Sequence, residues 1–313
     1  MSSSSFDRIK DKLINDLGFI YPYLLQNDVI EVMVNPDGSV WVERLGQSME
    51  HVGIIDKDKA IAIMDTIAAS LGKTIKEDSP SLEGTLFLDG SRFAGHIPPV
   101  VASPTFAIRK KAISVFSLQQ YVNNKILSVR HLNIIKKAIK DHKNFLVVGG
   151  TGSGKTTFLN ALIQEMVNEN PNERILIIED TGEIQCNALN HVKLCSSPNV
   201  DMTSLLKSSL RMRPDRILIG EVRGPEALDL LDSWNTGHEG GAATIHANNV
   251  ELALQRLNSL VSRNKSAPSD IDNLIGQVVH IIIHIAKTTG GRKVKQLLEL
   301  QGYNNGKYIF NII

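Results

Sequence analysis

Two cysteines and few aromatic residues are the first features that narrow the class of this 313-residue protein. The cysteines, Cys186 and Cys195, are too few for a disulfide framework, and their spacing matches no common zinc motif. We therefore expect two reduced thiols. Aromatic residues make up 5% of the chain, and 34 Lys plus Arg against 33 Asp plus Glu leave a net charge of +1, so stable nucleic-acid binding is not expected.

Long hydrophobic runs are also missing. The most apolar stretch, residues 278–286, is interrupted by His280 and His284 and is far shorter than the roughly 20 residues of a membrane-spanning helix. Both histidines are separated by isoleucines and are predicted to occupy surface or edge positions of a strand. The N-terminus has no basic segment followed by an apolar one, so we expect no signal peptide, a cytoplasmic protein, and at most a peripheral contact with a membrane.

The first 110 residues carry the signals of a small α+β domain. An Asn-Pro-Asp-Gly turn separates two short apolar runs, residues 31–34 and 40–42, and predicts a hairpin. The other predicted elements are a second hairpin, one more strand and two helices, over residues 84–88 with 91–94, 106–109, 6–17 and 57–71. The domain is assigned to residues 1–110, and residues 111–127 are predicted to form a linker.

From residue 128 the pattern changes to strands that alternate with helices. A helix is predicted over residues 129–140, and apolar runs predict strands over 145–148, 174–178, 217–219 and 242–245. This alternation is typical of a parallel sheet with helices on both faces. Residues 128–313 are therefore predicted to form an α/β domain.

The first strand of this domain leads into a nucleotide-binding motif. Residues 149–156 read Gly-Gly-Thr-Gly-Ser-Gly-Lys-Thr, which matches the P-loop pattern in full, and helical apolar spacing follows. In such a loop, backbone N–H groups turn toward phosphates, Lys155 reaches the β- and γ-phosphates, and the Thr156 hydroxyl binds Mg²⁺. ATP and Mg²⁺ are the expected ligands. The candidate nucleotide-binding residues of the loop are Gly150, Thr151, Gly152, Ser153, Gly154, Lys155, Thr156 and Thr157.

Hydrolysis also requires carboxylates, and two predicted strands end in them, one at Glu179 and one at Gly220 and Glu221. Open α/β sheets bind ligands at the carboxyl ends of their strands. We therefore expect both strands to lie beside the P-loop strand, with the two glutamates joining Thr156 in holding Mg²⁺ through water. Glu183 has two equal interpretations, a third carboxylate of the site or the acidic first turn of a helix.

Four segments, in this order, resemble the traffic ATPases of bacterial secretion, conjugation and type IV pili. They are the P-loop, the acidic residues 177–183, the segment 210–223 around Glu221, and residues 236–247, which are similar to the histidine box of that family. Three N-terminal segments are similar to the TrbB-like conjugal transfer ATPases, relatives of the type IV secretion ATPases: residues 28–38, 89–101 and 105–111. The resemblance covers nearly the whole chain.

This resemblance implies an assembly and a location. Members of the family form homohexameric rings at the cytoplasmic face of the inner membrane, where they work with other components of a secretion or conjugation machine. Nucleotide would lie between the N-terminal domain and a RecA-like C-terminal domain, with Arg92 and Arg109 as nucleotide contacts.

The resemblance also implies catalytic roles. Glu179 would be the catalytic carboxylate, and Glu221 would be the Walker B glutamate. His238 and His246 would form the histidine box and sense the γ-phosphate or a neighbouring subunit, so His246 joins Lys155 among the catalytic candidates.

A basic cluster flanks the strand that precedes Glu221 and consists of Arg211, Arg213, Arg216 and Arg223. These side chains could be solvated, or paired locally with Glu221 or Asp215. One of them could instead act as an arginine finger that stabilises transition-state charge across a subunit interface. The sequence leaves the choice of residue open, with Arg211 and Arg213 as the candidates.

The predicted function is ATP hydrolysis that energises a conjugation or type IV secretion apparatus, through pilus assembly or substrate export. Three alternatives stay open: a pilus assembly or retraction ATPase, a hexameric nucleic-acid motor of the helicase type, and a scaffold that binds nucleotide without hydrolysing it. The low aromatic content and balanced charge disfavour the nucleic-acid motor. Glu179 and Glu221 disfavour the scaffold, because carboxylates in those positions serve hydrolysis.

Overall fold

Two β-sheets organise the chain, one of six strands and one of eight. They are seen in a computed structural model that describes residues 3–44, 47–111, 115–197 and 199–313. The chain divides into two units, Met1–Ile113 and Ser114–Ile313, here called the N-terminal unit and the C-terminal unit. Among the described residues, no helix combines the length and the apolar character that crossing a bilayer requires.

The N-terminal unit is an antiparallel sheet with helices packed against one face. Its strands follow the order β3-β2-β1-β6-β5-β4. The strands are β1 Val29–Val34, β2 Ser39–Arg44, β3 Glu50–Ile54, β4 Ser81–Thr85, β5 Arg92–His96 and β6 Thr105–Arg109. The helices are α1 Ser3–Leu17, α2 Tyr21–Leu25 and α3 Lys57–Ser70. Alternate residues of β1 and β2, such as Val32 and Val42, are fully buried, as expected for a sheet with one covered face.

Both predicted hairpins are present, but the bounds of the second differ from the prediction. The first arm was expected over residues 84–88, whereas β4 ends at Thr85. Residues 86–91 form the connection, which closes through the Leu86 N–H donating to Ser91 O at 2.7 Å, and Gly90 has a φ of +77°. The Asp-Gly pair therefore sits at the end of a longer turn than the two-residue one that the pattern favours.

The C-terminal unit is a mixed sheet with helices on both faces, in the order β14-β13-β12-β7-β11-β10-β8-β9. Strands from β12 to β9 pair in parallel, and β13 and β14 add antiparallel pairs at one side. The strands are β7 Phe145–Gly149, β8 Ile175–Glu179, β9 His191–Cys195, β10 Arg216–Ile219, β11 Ala242–His246, β12 Ile281–Thr288, β13 Gly291–Asn304 and β14 Lys307–Ile312. The helices are α4 Leu118–Asn123, α5 Val129–Lys140, α6 Lys155–Glu169, α7 Met202–Ser209, α8 Glu226–Asn235, α9 Val250–Val261 and α10 Ile271–Val278.

Two apolar cores, one on each face, surround the parallel strands. Along β7, Leu146 and Val148 belong to one core, and Phe145 and Val147 belong to the other. Both faces of these strands are buried, which is why residues 145–148, 175–178 and 217–219 are continuous apolar runs, with charged residues only at the strand ends.

Residues 111–127, predicted as a linker, include helix α4. A capping box begins this helix, since the Ser117 hydroxyl accepts from Gln120 N and the Gln120 side chain accepts from Ser117 N. Leu118 and Tyr121 are buried in the core on the α6 face. Residues 112–114 of the predicted linker lie outside the described residues.

The prediction that His280 and His284 occupy surface or edge positions is wrong. His284 lies on β12, an interior strand of the sheet, and is only 8% exposed. His280 is half-buried, and its Nδ1 accepts a hydrogen bond from Asn144 N at 3.0 Å. Alternation with isoleucine indicates one face of a strand, but it does not reveal whether a neighbouring strand or helix covers that face.

Candidate nucleotide-binding and catalytic site

The P-loop, residues 149–156, connects β7 to α6 in the conformation of an anion nest. Gly152 and Gly154 have φ values of +67° and +96°, which side chains with a Cβ atom rarely adopt. α5, α7 and α9 begin with side-chain caps from Ser128, Asp201 and Asn249, whereas α6 begins at Gly154 without one. The first amides of α6 are therefore not occupied by a capping side chain.

The side chains of the P-loop are held close to its backbone. The Lys155 ammonium donates to Gly150 O at 3.2 Å, and Ser153 is 2% exposed with its hydroxyl next to Gly149. Thr156 and Thr157 lie half-buried in the first turn of α6. A methyl group added at Gly152 would meet no atom within 4 Å, so the loop is open on that side.

The carboxyl edge of the sheet, where the parallel strands end, brings together the P-loop and three other predicted site residues of this unit. The expectation that both glutamate-bearing strands flank the P-loop strand is wrong, because β11 lies between β7 and β10, and β8 lies beyond β10. His246 at the end of β11 is in register with Gly149. The order along the edge is thus the P-loop, His246, Glu221 and Glu179. Chain order does not specify the order of strands in a sheet, which is why the sequence missed this insertion.

Glu179 is a buried carboxylate with one oxygen held and the other unused. It is 3% exposed, and its Oε2 accepts from the Ile184 N–H at 2.9 Å. The Glu183 N–H also donates to this carboxylate, whereas Oε1 has no hydrogen-bond partner among the described residues. Burial raises the pKa of Glu179, and this effect exceeds the lowering caused by the two N–H groups and by Lys193.

Glu221 follows β10 and is paired with Arg223. The Arg223 Nε donates to Glu221 Oε2 at 2.8 Å, and its Nη1 lies 3.5 Å from Asp180 Oδ2. Glu221 is half-buried and Arg223 is exposed. Arg223 therefore links the loops that follow β10 and β8, which corresponds to the local pairing that the sequence left as an alternative.

The other three arginines of the basic cluster have different environments. Arg216 is fully buried, bonds to the Glu173 carboxylate, and donates to Gly240 O at 2.8 Å. This side chain is a structural ion pair at the amino edge of the sheet, the opposite edge from the P-loop. Arg211 and Arg213 are exposed on the turn that follows α7.

The remaining predicted residues lie at two places. His238 is half-buried in the loop before β11. Arg92 and Arg109 lie in the N-terminal unit, where they are directly opposite each other on β5 and β6, and Arg109 is also opposite Glu31 of β1. Their side chains belong to one sheet of that unit.

Three residues at the carboxyl edge were missed by sequence reasoning. Arg292 of β13 donates from Nη2 to Gly152 O at 3.3 Å, and its side chain lies against Gly154. Asn160 of α6 and Lys193 of β9 bond to the loop after Glu179. The one signal available was Asn160, a polar residue within the apolar pattern of α6, because buried polar side chains need partners.

These features define the C-terminal unit as a P-loop nucleotide-binding domain. The family described as type II/IV secretion system protein matches residues 15–296, and the chain belongs to that family. It is 43% identical over 282 residues to the probable conjugal transfer protein TrbB of Sinorhizobium fredii, covering 90% of this chain and 86% of that protein. It is 40% identical over 305 residues to the conjugal transfer protein TrbB of Rhizobium radiobacter, covering 97% and 94%.

Solved structures show the same fold. The VirB11 ATPase from the Brucella suis type IV secretion system, in complex with sulphate, is 27% identical, with 95% of this chain and 97% of that chain covered and a TM-score of 0.51. The pilus retraction motor PilT with bound ADP is 18% identical, with 94% and 82% covered and a TM-score of 0.65, which is a likeness of fold alone.

Proposed function

We propose that this protein is a Mg²⁺-dependent ATP hydrolase that energises a conjugation or type IV secretion apparatus. The observation that carries the proposal is Glu179, a buried carboxylate with one unused oxygen, on the same sheet edge as the P-loop. Membership of the secretion family, and relatives that are conjugal transfer proteins, support this function over the alternatives.

The P-loop would bind the phosphates. Its backbone N–H groups and the N-terminus of α6 supply partial positive charge, and Lys155 exchanges its bond to Gly150 O for the β- and γ-phosphates. Thr157, in the same first turn of α6, would add a further contact. The open space at Gly152 fits a bound triphosphate, since no side chain would block it.

The residues present also fit Mg²⁺. Within the described ranges, no group of three or more His, Cys, Asp and Glu side chains is arranged to hold a metal ion by itself. Mg²⁺ does not need such a group, because it commonly keeps several waters and is held by one or two side chains together with substrate phosphates. Thr156, with Glu221 and Glu179 acting through water, would hold the ion, which neutralises charge on the phosphates.

Glu179 would orient and deprotonate the attacking water. Its Oε1 is available for that water, while Oε2 is fixed by the Ile184 N–H. A raised pKa makes this carboxylate a better proton acceptor near neutral pH. His246 would sense the γ-phosphate, since its strand ends beside Gly149.

The assembly proposed is a homohexamer at the cytoplasmic face of the inner membrane, with a RecA-like C-terminal domain over residues 128–313, an N-terminal domain over 1–110 and a linker over 111–127. In that ring, Arg92 and Arg109 would contact nucleotide, and Arg211 or Arg213 would act as the finger toward a neighbouring subunit. The exposed positions of Arg211 and Arg213 support this choice over the buried Arg216.

The test is ATP turnover of the purified protein with Mg²⁺, for wild type and Glu179→Gln. Removing a general base costs about 10²–10⁴-fold in turnover. ATP binding should persist in the variant, because glutamine keeps the shape of the side chain. Lys155→Ala should lose binding, while the control Lys137→Ala, exposed on α5, should retain both properties.

Three results would contradict the proposal. Turnover of Glu179→Gln equal to that of wild type would remove this residue from its role. Absence of ATP binding by wild type would remove the site itself. Strong stimulation by single-stranded DNA would favour the nucleic-acid motor instead. Light scattering with ATP and Mg²⁺ tests the hexamer, which predicts six times the mass of one chain.

A further inference from the structure

The loop after Glu179, residues 180–185, supplies the N–H groups that hold its carboxylate, so the position of this loop decides where Glu179 points. We call it the acidic loop. It contains neither helix nor strand, and its Gly182 has a φ of +67°. Because loops of this kind are held by few bonds of their own, contacts from neighbouring elements must fix its course.

Asn160 contacts the acidic loop from the side of the P-loop helix. It lies on α6, five residues after Lys155, and is 2% exposed. Its Oδ1 accepts from the Gln185 N–H at 3.0 Å, and its Nδ2 lies 3.5 Å from Glu183 O. These bonds constrain the position of the acidic loop, because moving the loop away would leave the buried Asn160 amide unpaired at a cost in free energy.

Lys193 contacts the same loop from a different element. It lies on the edge strand β9, and its ammonium donates to Ile184 O at 2.7 Å. The N–H of Ile184 is the group that donates to Glu179 Oε2 at 2.9 Å. The backbone of residues 183–185 is therefore hydrogen-bonded to Asn160, to Lys193 and to the Glu179 carboxylate.

We propose that Asn160 and Lys193 are positioning residues for hydrolysis, which clamp the acidic loop between the P-loop helix and β9 so that Glu179 presents its unused oxygen to the attacking water. The proposal rests on the role given to Glu179 above. Asn160 also connects the phosphate-binding residues to the acidic loop, since the helix that carries it begins at Lys155. Movement of α6 on phosphate binding would be passed to the acidic loop through the Asn160 bonds.

Such residues act only through Glu179, and this gives the clamp a specific kinetic signature. Misplacement of a catalytic group by about 1 Å can cost about 10²-fold in rate. Asn160→Ala should lower kcat at least about tenfold, with the Kd for ATP changed less than about threefold. In the Glu179→Gln background, the same substitution should cause no further decrease, because the group that it positions is already gone.

The experiment is a double-mutant cycle of Asn160→Ala and Glu179→Gln, read by single-turnover hydrolysis with Mg²⁺ and by the Kd of a fluorescent ATP analogue. Lys193→Met, at the exposed edge of the sheet, repeats the cycle with a variant that does not disturb the core. The controls are Asn168→Ala on the exposed face of α6 and Lys295→Met on the exposed face of β13.

The outcomes separate the two proposals. Unchanged turnover in Glu179→Gln overturns the role of Glu179 and the clamp with it. If Glu179→Gln is inactive, then a kcat in both clamp variants within twofold of wild type overturns the clamp alone. Equal losses with and without Glu179 also overturn it, since they indicate a merely structural role. If Asn160→Ala does not fold, as shown by thermal unfolding, Lys193→Met decides the result by the same criteria.

Discussion

The two edges of the C-terminal sheet bury charged groups in opposite ways. At the amino edge, where β7, β8 and β10 begin, the guanidinium of Arg216 bonds to the Glu173 carboxylate, to Gly240 O at 2.8 Å and to Ile139 O at 3.2 Å. At the carboxyl edge, Glu179 keeps one oxygen without a partner among the described residues.

The side chain of Asn144, also at the amino edge, has hydrogen-bond partners for both its oxygen and its nitrogen. Its Oδ1 accepts from the N–H groups of Gly240 and Gly241 at 2.8 and 3.1 Å, and its Nδ2 donates to Val278 O at 2.9 Å. Burial with full pairing stabilises a fold, whereas burial with an unused atom costs stability and leaves that atom for chemistry. The comparison therefore separates buried charges that are fully paired from the one, Glu179, that is proposed to be catalytic.

The largest expected effect tests the amino edge. Arg216→Met leaves Glu173 buried without its cation, so the free energy of unfolding should fall by about 3–5 kcal/mol. Urea denaturation measures this loss. The double variant Arg216→Met with Glu173→Leu should recover most of it, because no charge is then left unpaired, and a double variant as unstable as the single one would contradict the comparison.

The next effect concerns the amide at the same edge. Asn144→Ala leaves the N–H groups of Gly240 and Gly241 buried and unpaired, which should lower the free energy of unfolding by about 2–3 kcal/mol. The same urea measurement applies. Asn168→Ala, on an exposed face of α6, serves as the matched control and should change stability by less than about 0.5 kcal/mol. Equal losses in the two variants would show that pairing by Asn144 contributes nothing specific.

The carboxyl edge should respond with the opposite sign. Folding raises the pKa of Glu179, so the stability linked to this group is present below the pKa of the unfolded state and is lost as pH rises through the folded value. At neutral pH the buried charge is destabilising, and Glu179→Gln should raise the Tm by about 1–3 °C. The difference from wild type should vanish at about pH 3, below the ordinary pKa of glutamate, where the carboxyl is protonated in both states. A Tm that falls at neutral pH would break the comparison between the two edges.

The smallest effect concerns Arg292, whose guanidinium donates to Gly152 O at 3.3 Å. Arg292→Ala removes this support from the P-loop, and the Kd for ATP should rise about fivefold, equivalent to about 1 kcal/mol. Calorimetric titration measures the change, and Lys293→Ala, its exposed neighbour, is the control. Equal affinities for both variants and wild type would show that the P-loop holds its conformation without Arg292.

The prediction of individual elements succeeded where the signal was local. The strands predicted over 145–148 and 174–178 and the helix after the P-loop follow from apolar runs and helical spacing. The structure has them as β7, β8 and α6, with β8 beginning at Ile175. The positions of Gly154 and Lys155 could be predicted because the P-loop motif depends only on eight consecutive residues. The end of β4 was missed because a longer turn replaced the short one that Asp-Gly favours.

The sequence by itself determined which side chains stand at the end of each strand, since a strand and the residue after it are covalently connected. Only the tertiary structure decided that β11 separates β7 from β10, that His284 is buried, and that Asn160 and Lys193 meet at the acidic loop. The physical reason is that strand order and burial depend on contacts between segments far apart in the chain, and no local pattern encodes which segment becomes the neighbour.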